Sequence, residues 1–222
     1  MVNDSKQKVY PEPSRRAWVV AADMGYGHQR TAYPFRDIAF GSKIINANNY
    51  EGIPEKDKKV WHTSRSLYEF ISRFKRIPLL GDVIFFFLDR FQKIIVYYPK
   101  RYMSKPNFNL KSVFYFIKKG WGKDLIGRLK KNSIPLLTTF FTPAFMAEEF
   151  DYPNEIYCTI CDADVNRSWV SLKPENSRIK YFAPNTWARD RLKLYNVKPE
   201  NIFFTGYPLP KENIGENMVI LK

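Results

Sequence analysis

Short continuous apolar runs alternate along this chain with amphipathic stretches, and the alternation predicts strands and helices in turn. After a polar lead over 1–16, Ala17-Trp-Val-Val-Ala-Ala22 is an unbroken apolar run that stops at a glycine-containing loop. A strand buried on both faces has this pattern. Gln29 to Phe40 has helical spacing, with Pro34 either making the first turn irregular or marking where the helix proper starts. Lys43 to Ala47 can form a second strand, and the polar stretch Asn48 to Lys59, which holds Gly52 and Pro54, reads as a loop. Trp61 to Lys75 is predicted helical, with Leu67, Phe70, Ile71 and Phe74 on one face. Leu110, Phe114, Ile117, Trp121, Leu125 and Leu129 also recur at helical spacing, in a helix weakened by Gly120, Gly122 and Gly127.

The second half repeats the theme more regularly. Ile134 to Phe141 reads as a buried strand, Ala144 to Phe150 as a short helix and Ile156 to Cys161 as the next strand. Ile179 to Ala183, Thr186 to Asn196 and Ile202 to Thr205 follow as strand, helix and strand. Strands alternating with helices imply βαβ units. The expected fold is therefore α/β, a Rossmann-like parallel sheet flanked by helices, over residues 17–210 with a tail at 211–222. No internal repeat or low-complexity segment interrupts it.

With 45% hydrophobic and 17% aromatic residues, the 222-residue chain can bury a full core, which excludes a disordered polypeptide. Its 36 basic against 22 acidic residues leave a formal charge of +14. Such a field attracts nucleic acid, anionic headgroups or polyanionic substrates without choosing among them. No helix-turn-helix, zinc-finger or RNP-type pattern accompanies the charge, so nucleic acid is not the expected partner. Met1 to Arg16 lacks the apolar segment of a secretory signal, and no run of about 18 apolar residues occurs. A cytoplasmic protein is the expectation.

Cys158 and Cys161 are the two cysteines, too few for a disulfide framework. Their C-x-x-C spacing falls inside a predicted strand, where positions three apart point to opposite faces. A redox pair needs instead the turn at a helix N-terminus. The two histidines lie far away in sequence, which leaves a zinc site without ligands. Ordinary core cysteines are expected, and no metal.

Three segments at predicted strand ends carry the candidate chemistry. The first is the turn Asp23-Met-Gly-Tyr-Gly-His28. Gly25 and Gly27 allow a ligand to approach the backbone, and the helix that follows offers unpaired N–H groups to an anion. Asp23 and His28 add an acid/base pair. Arg30 stands where a dinucleotide fingerprint would need its third glycine, so NAD and FAD are not expected. The second is Asp162-Ala-Asp-Val-Asn-Arg-Ser-Trp169. Its Asp162, Asp164, Arg167 and Trp169 could orient a sugar or an alcohol, and could equally be loop caps and a solvated salt pair. The third runs from Tyr181 through Asn185 and Arg189 to Phe204-Thr-Gly-Tyr-Pro208.

In this order the three segments resemble the N-terminal, acceptor-side lobe of GT-B glycosyltransferases related to monogalactosyldiacylglycerol synthase, processive diacylglycerol glucosyltransferases and MurG. Asp23-Met-Gly-Tyr-Gly-His28 is similar to the opening loop of that group, with Tyr26 where a small residue is usual. Thr159-Ile-Cys-Asp162 with Trp169 is similar to its Thr-Asp-type strand end and downstream Trp, and Phe204-Thr-Gly-Tyr-Pro208 to its Gly-x-Pro ending. The resemblance covers most of residues 17–210. It implies inverting transfer from a nucleotide sugar, the co-substrate, to a lipid or lipid-linked acceptor, with no further cofactor; if an enzyme, the chain is a hexosyltransferase component. His28 or Asp23 would be the base, Gly25, Tyr26 and Gly27 would lie near the donor phosphates, and Asp162, Asp164, Arg167 and Trp169 near the acceptor.

Two-lobed members continue past the Gly-x-Pro turn into a second, donor-holding lobe, whereas this sequence stops at Lys222. A separate donor-binding subunit, a truncated product, or reuse of the fold as a non-catalytic lipid- or glycan-headgroup binding module would each account for that. Leu79 to Tyr98 is rich in Phe, Ile and Tyr and is framed by Arg73, Lys75, Arg76, Lys100, Arg101 and Lys105. The segment 79–105 is expected to face an anionic membrane, with the protein peripheral on the inner leaflet; a core helix with a basic rim has the same pattern.

Overall fold

The structure, a computed structural model, describes residues 16–74 and 103–213, with the backbone alone over 67–74. The aromatic stretch Leu79 to Tyr98, most of the polar lead and the end of the tail lie outside the described residues. Six strands form one sheet: β1 (Ala17–Ala21), β2 (Ala39–Asn46), β3 (Leu136–Thr138), β4 (Ile156–Thr159), β5 (Lys180–Ala183) and β6 (Ile202–Phe204). Every pairing is parallel and the order is β2-β1-β3-β4-β5-β6. Among the described residues the helices are α1 (Tyr26–Ala32), α2 (Glu55–Phe74), α3 (Phe108–Lys118), α4 (Lys123–Leu129), α5 (Phe141–Glu149) and α6 (Thr186–Leu194). The sheet with its flanking helices is a Rossmann-like α/β arrangement.

Alternation along β1 explains why it reads as continuously apolar. Val19 and Ala21 join Ala32 and Leu137 in a cluster on one face, with Phe35 and Ile38 packed against it. Val20 belongs to the larger cluster on the other face, with Leu136, Phe114, Ile126, Phe145, Ile156 and Leu192. Thus α1 and the 3-10 segment Tyr33–Ile38 cover one face, while α3 to α6 cover the other. The chain leaves β1 towards β2 on one side and leaves β3 towards β4 on the opposite side. Adjacent parallel strands whose connections diverge in this way open a crevice at their carboxyl ends, the usual ligand position in doubly wound sheets.

Several element boundaries differ from the sequence expectation, each for a local reason. The helix after β1 spans a single α-helical stretch to Ala32 and continues as 3-10 turns from Tyr33, because Pro34 withholds an N–H. β2 starts at Ala39 rather than Lys43; Gly41 and Ser42 have φ of 64° and 54°, and the pairing with β1 shifts register there. As an edge strand with an exposed middle, it shows no apolar run. α2 begins at Glu55, inside the predicted loop, with Glu55 and Asp57 in its first turn complementing the helix dipole. The long helix expected over Leu110 to Leu129 is two helices. Gly122 caps α4 with φ 85°, its N–H donates to Asp57 at 3.1 Å, and a Cβ there would run into Met146 Sδ. Among the described residues no helix is long and apolar enough to cross a membrane.

Candidate functional site

The loop after β1 lies at the divergence point and is held on both sides. Asn48, just beyond β2, grips the Asp23 backbone twice: its Oδ1 accepts from Asp23 N at 2.9 Å, and its Nδ2 donates to Asp23 O at 3.1 Å. Arg65 of α2 donates to the Asp23 carboxylate at 2.5 Å. Gly25 closes the loop at φ 141°, ψ 148°, a conformation essentially restricted to glycine. A Cβ at Gly25 or Gly27 would meet nothing within 4 Å, so the space above this turn is open. Tyr26 does not fill it. It is 72% exposed and lies beneath the Arg30 guanidinium, 5.3 Å from its ring centre.

His28, on the first turn of α1, reaches across to the end of β3. Its Nδ1 lies 2.9 Å from the Thr139 carbonyl oxygen, and Thr139 Oγ1 donates to the His28 carbonyl at 2.8 Å. A carbonyl only accepts, so Nδ1 carries the proton and Nε2 keeps its lone pair. Phe140 packs edge-on against the ring at 4.7 Å, and Trp169 approaches at 6.0 Å. Burial among these rings lowers the imidazole pKa below its ordinary 6.5, against the smaller opposing effects of the Thr139 bond and the Asp162 charge. His28 is only half-buried, and Nε2 is not among the buried atoms left without a partner. The site therefore presents a neutral imidazole with an open lone pair at physiological pH.

Cys161, directly after β4, brings its Sγ within 3.1 Å of His28 Nδ1 and 3.7 Å of Asp162 Oδ1. Burial, with the Asp162 charge added, pushes its thiol up to about 12. The S–H consequently stays protonated and points to Asp162, while the sulfur shares the Nδ1–H with Thr139. Cys158 is fully buried in the larger core cluster, against which Cys161 also packs. Because β4 ends at Thr159, the two do not lie on opposite faces of one strand, and both are free. Among the described residues no group of three or more His, Cys, Asp or Glu side chains could hold a metal ion.

The second candidate segment divides into two kinds of residue. Asp162 is exposed beside Cys161 and faces the His28 environment. Asp164 is engaged: its carboxylate takes Arg191 Nε at 3.0 Å and Nη2 at 2.6 Å, and also the Val165 N–H at 2.7 Å. Arg167 is buried, with its guanidinium donating to the carbonyls of Ser104, Val170 and Ser171 at 2.7, 2.6 and 2.9 Å. Trp169 is buried too and supports Phe140 and Phe141 behind the imidazole. The segment is thus brought to the first loop through Asp162 and Trp169, whereas Asp164 and Arg167 serve to lock the connection.

The Gly-x-Pro turn joins this group through Asn185, the N-cap of α6. Its Oδ1 accepts from Ala188 N at 2.8 Å, while its Nδ2 donates to Ala163 O at 2.8 Å and to Tyr207 Oη at 3.3 Å. Gly206 turns the chain with φ 78°. Thr139, Arg65 and Asn48 complete the site although the sequence does not single them out as chemical, and Cys161 and Asn185 enter it through contacts their sequence context does not show. Their one shared signal is position, since most lie just past a strand or in the helix that crosses above it. No family model matches this sequence, and no curated protein or solved structure matches it.

Proposed function

We propose that this chain is the acceptor-binding half of an inverting glycosyltransferase, with a nucleotide sugar as donor and a lipid or lipid-linked acceptor. A second lobe, on a partner chain or on a longer form of this one, would carry the donor. The observation behind this reading is the state of His28: neutral, with Nδ1–H held by Thr139 and Nε2 open, at the point where the connections from β1 and β3 diverge. A single displacement at an anomeric carbon needs a base beside the acceptor hydroxyl, and such an imidazole can supply one. Nε2 takes the acceptor hydroxyl proton as the oxygen bonds to the anomeric carbon, and the nucleoside diphosphate leaves with the electron pair of the broken bond.

Asp23 suits the role of base less well, because its carboxylate is engaged by Arg65; it positions the loop and that arginine. The open space over Gly25 and Gly27 would admit the donor phosphates against the backbone. Asp162 would receive an acceptor hydroxyl beside the imidazole. A non-catalytic lipid- or glycan-headgroup binding module is the second reading, favoured by the commitment of Asp164 and Arg167 to internal partners.

The test is transfer of label from radioactive nucleotide sugars into a lipid extract, using complexes that co-purify with the tagged full chain from membranes. Wild type should transfer, and His28→Ala should lose about 10²–10⁴-fold in rate. Equal transfer by the variant would refute the assignment of His28. Binding of acceptor lipid without transfer by any such complex would favour the binding module.

A further inference from the structure

The outward face of α3 has the wrong composition for a solvated helix. Leu110, Phe114 and Ile117 point inward, and Phe114 stacks on Phe145 at 5.0 Å. On the opposite side Tyr115 is 59% and Phe116 42% exposed, and their rings meet edge to face at 5.4 Å. Lys111, Lys118 and Lys119, three or four residues away and also exposed, surround them, with Lys119 Nζ 5.8 Å from the Tyr115 ring centre. The helix itself carries no carboxylate: from Lys105 to Lys123 the sequence holds five lysines and no aspartate or glutamate.

We propose that this face of α3 docks on an anionic lipid membrane, with Tyr115 and Phe116 entering the headgroup boundary and the three lysines lying over lipid phosphates. The charge complementarity selects the partner, since a helix whose charged residues are all lysines gains about fivefold in partition per lysine near an anionic leaflet. The aromatic pair selects a membrane over a polyanion in solution, because a tyrosine and a phenylalanine side by side on a convex helix match an interface with an apolar side. This surface is rigidly connected to the candidate site. Asn107, the N-cap of α3, exchanges hydrogen bonds of 3.0 and 3.2 Å with Ser168, the residue before the Trp169 that backs His28. The inference deepens the proposed function by giving the lipid acceptor a surface on which it would be met. It is tested without any sugar donor, so that either can fail alone.

The experiment is sedimentation of the full chain with vesicles of phosphatidylcholine alone or mixed with phosphatidylglycerol, across a salt series, with single-stranded RNA as a separate arm. Wild type should prefer the mixed vesicles, less so as salt rises. Tyr115→Ser with Phe116→Ser should lose on the order of tenfold in partition at every salt concentration, given the apolar area withdrawn. Lys111→Gln with Lys118→Gln and Lys119→Gln should abolish most of the preference for anionic vesicles. Tyr33→Ser, an exposed aromatic in the 3-10 segment over the other face of the sheet, should bind as wild type. Circular dichroism melts confirm that each variant folds, as expected for exposed positions. Equal binding to both vesicle types, unchanged binding by both α3 variants, or capture by RNA without vesicle binding would overturn the proposal.

Discussion

His28 and Thr139 hold each other by two hydrogen bonds, imidazole to carbonyl and hydroxyl to carbonyl, across 111 residues of sequence. The pair fixes the tautomer of the one and the strand end of the other. Titration of His28 should therefore be displaced: its imidazole proton signals, followed by NMR against pH, should have a midpoint below 6.5, assigned with His62→Gln. The sign for stability follows. The unfolded chain takes up this proton first, so the contribution is full above 6.5 and is lost as pH falls from there through the folded midpoint. A midpoint at or above 6.5 would contradict the buried, Nδ1-protonated arrangement.

Gly25 and Gly27 should respond oppositely to the same substitution. Gly25→Ala forces a side chain into φ 141° and should cost about 1–3 kcal/mol in denaturant unfolding. Gly27 has an ordinary helical conformation with free space around it, so Gly27→Ala should stabilise by up to about 1 kcal/mol. Equal losses at the two sites would mean that the loop is not built as described.

Asp57 is a buried carboxylate whose burial raises its pKa above 3.8, despite the Gly122 N–H that it accepts. The folded state holds this proton more tightly than the unfolded one. Stability should thus decline as pH rises from 3.8 through the folded midpoint, and the cost persists at neutral pH. Asp57→Asn keeps an acceptor for Gly122 and should raise the neutral-pH melting temperature. Asp57→Ala leaves that N–H unpaired and should cost about 1–3 kcal/mol. A lower melting temperature for Asp57→Asn would show that the charge is worth more than its burial costs.

Arg191 is almost entirely buried against Asp164, which accepts it through both oxygens. Removing the carboxylate alone, as in Asp164→Ala, leaves the cation in a poorly solvated site and should destabilise by about 3–5 kcal/mol in urea unfolding. A loss within about 0.5 kcal/mol would place this pair with ordinary surface ion pairs.

Much of the fold was legible because β1, β3 and β4 are largely buried on both faces and so appear as apolar runs, while β5 and the half-exposed edge strand β6 stand out by their short aromatic stretches. β2 escaped in part: it lies at the edge, and its Gly41-Ser42-Lys43 portion is exposed and bulged. The first turns of α2 were hidden for a similar reason, being rich in Lys and Asp with Trp61 the first large inward side chain. Of the site, the three glycine- and aspartate-bearing segments were visible as strand ends. Thr139 was not, because what it contributes to the imidazole is a backbone carbonyl, which every residue has. Cys161 drew notice for its spacing to Cys158, whereas its neighbour in space is His28. Arg167 and Asp164 show the converse, residues of chemical type whose groups are used internally.

The central position of β1 also has a consequence for how the chain comes off the ribosome. β1 and β2 are made early, yet β3, which must lie against the other edge of β1, is made only after a long intervening stretch. At synthesis rates of about 5–20 residues per second, the gap lasts on the order of ten seconds. Throughout that interval one edge and one face of an apolar strand wait without their partners, a non-local pairing of the slow-forming kind. The two residues that hold each other at the candidate site meet only when that wait ends.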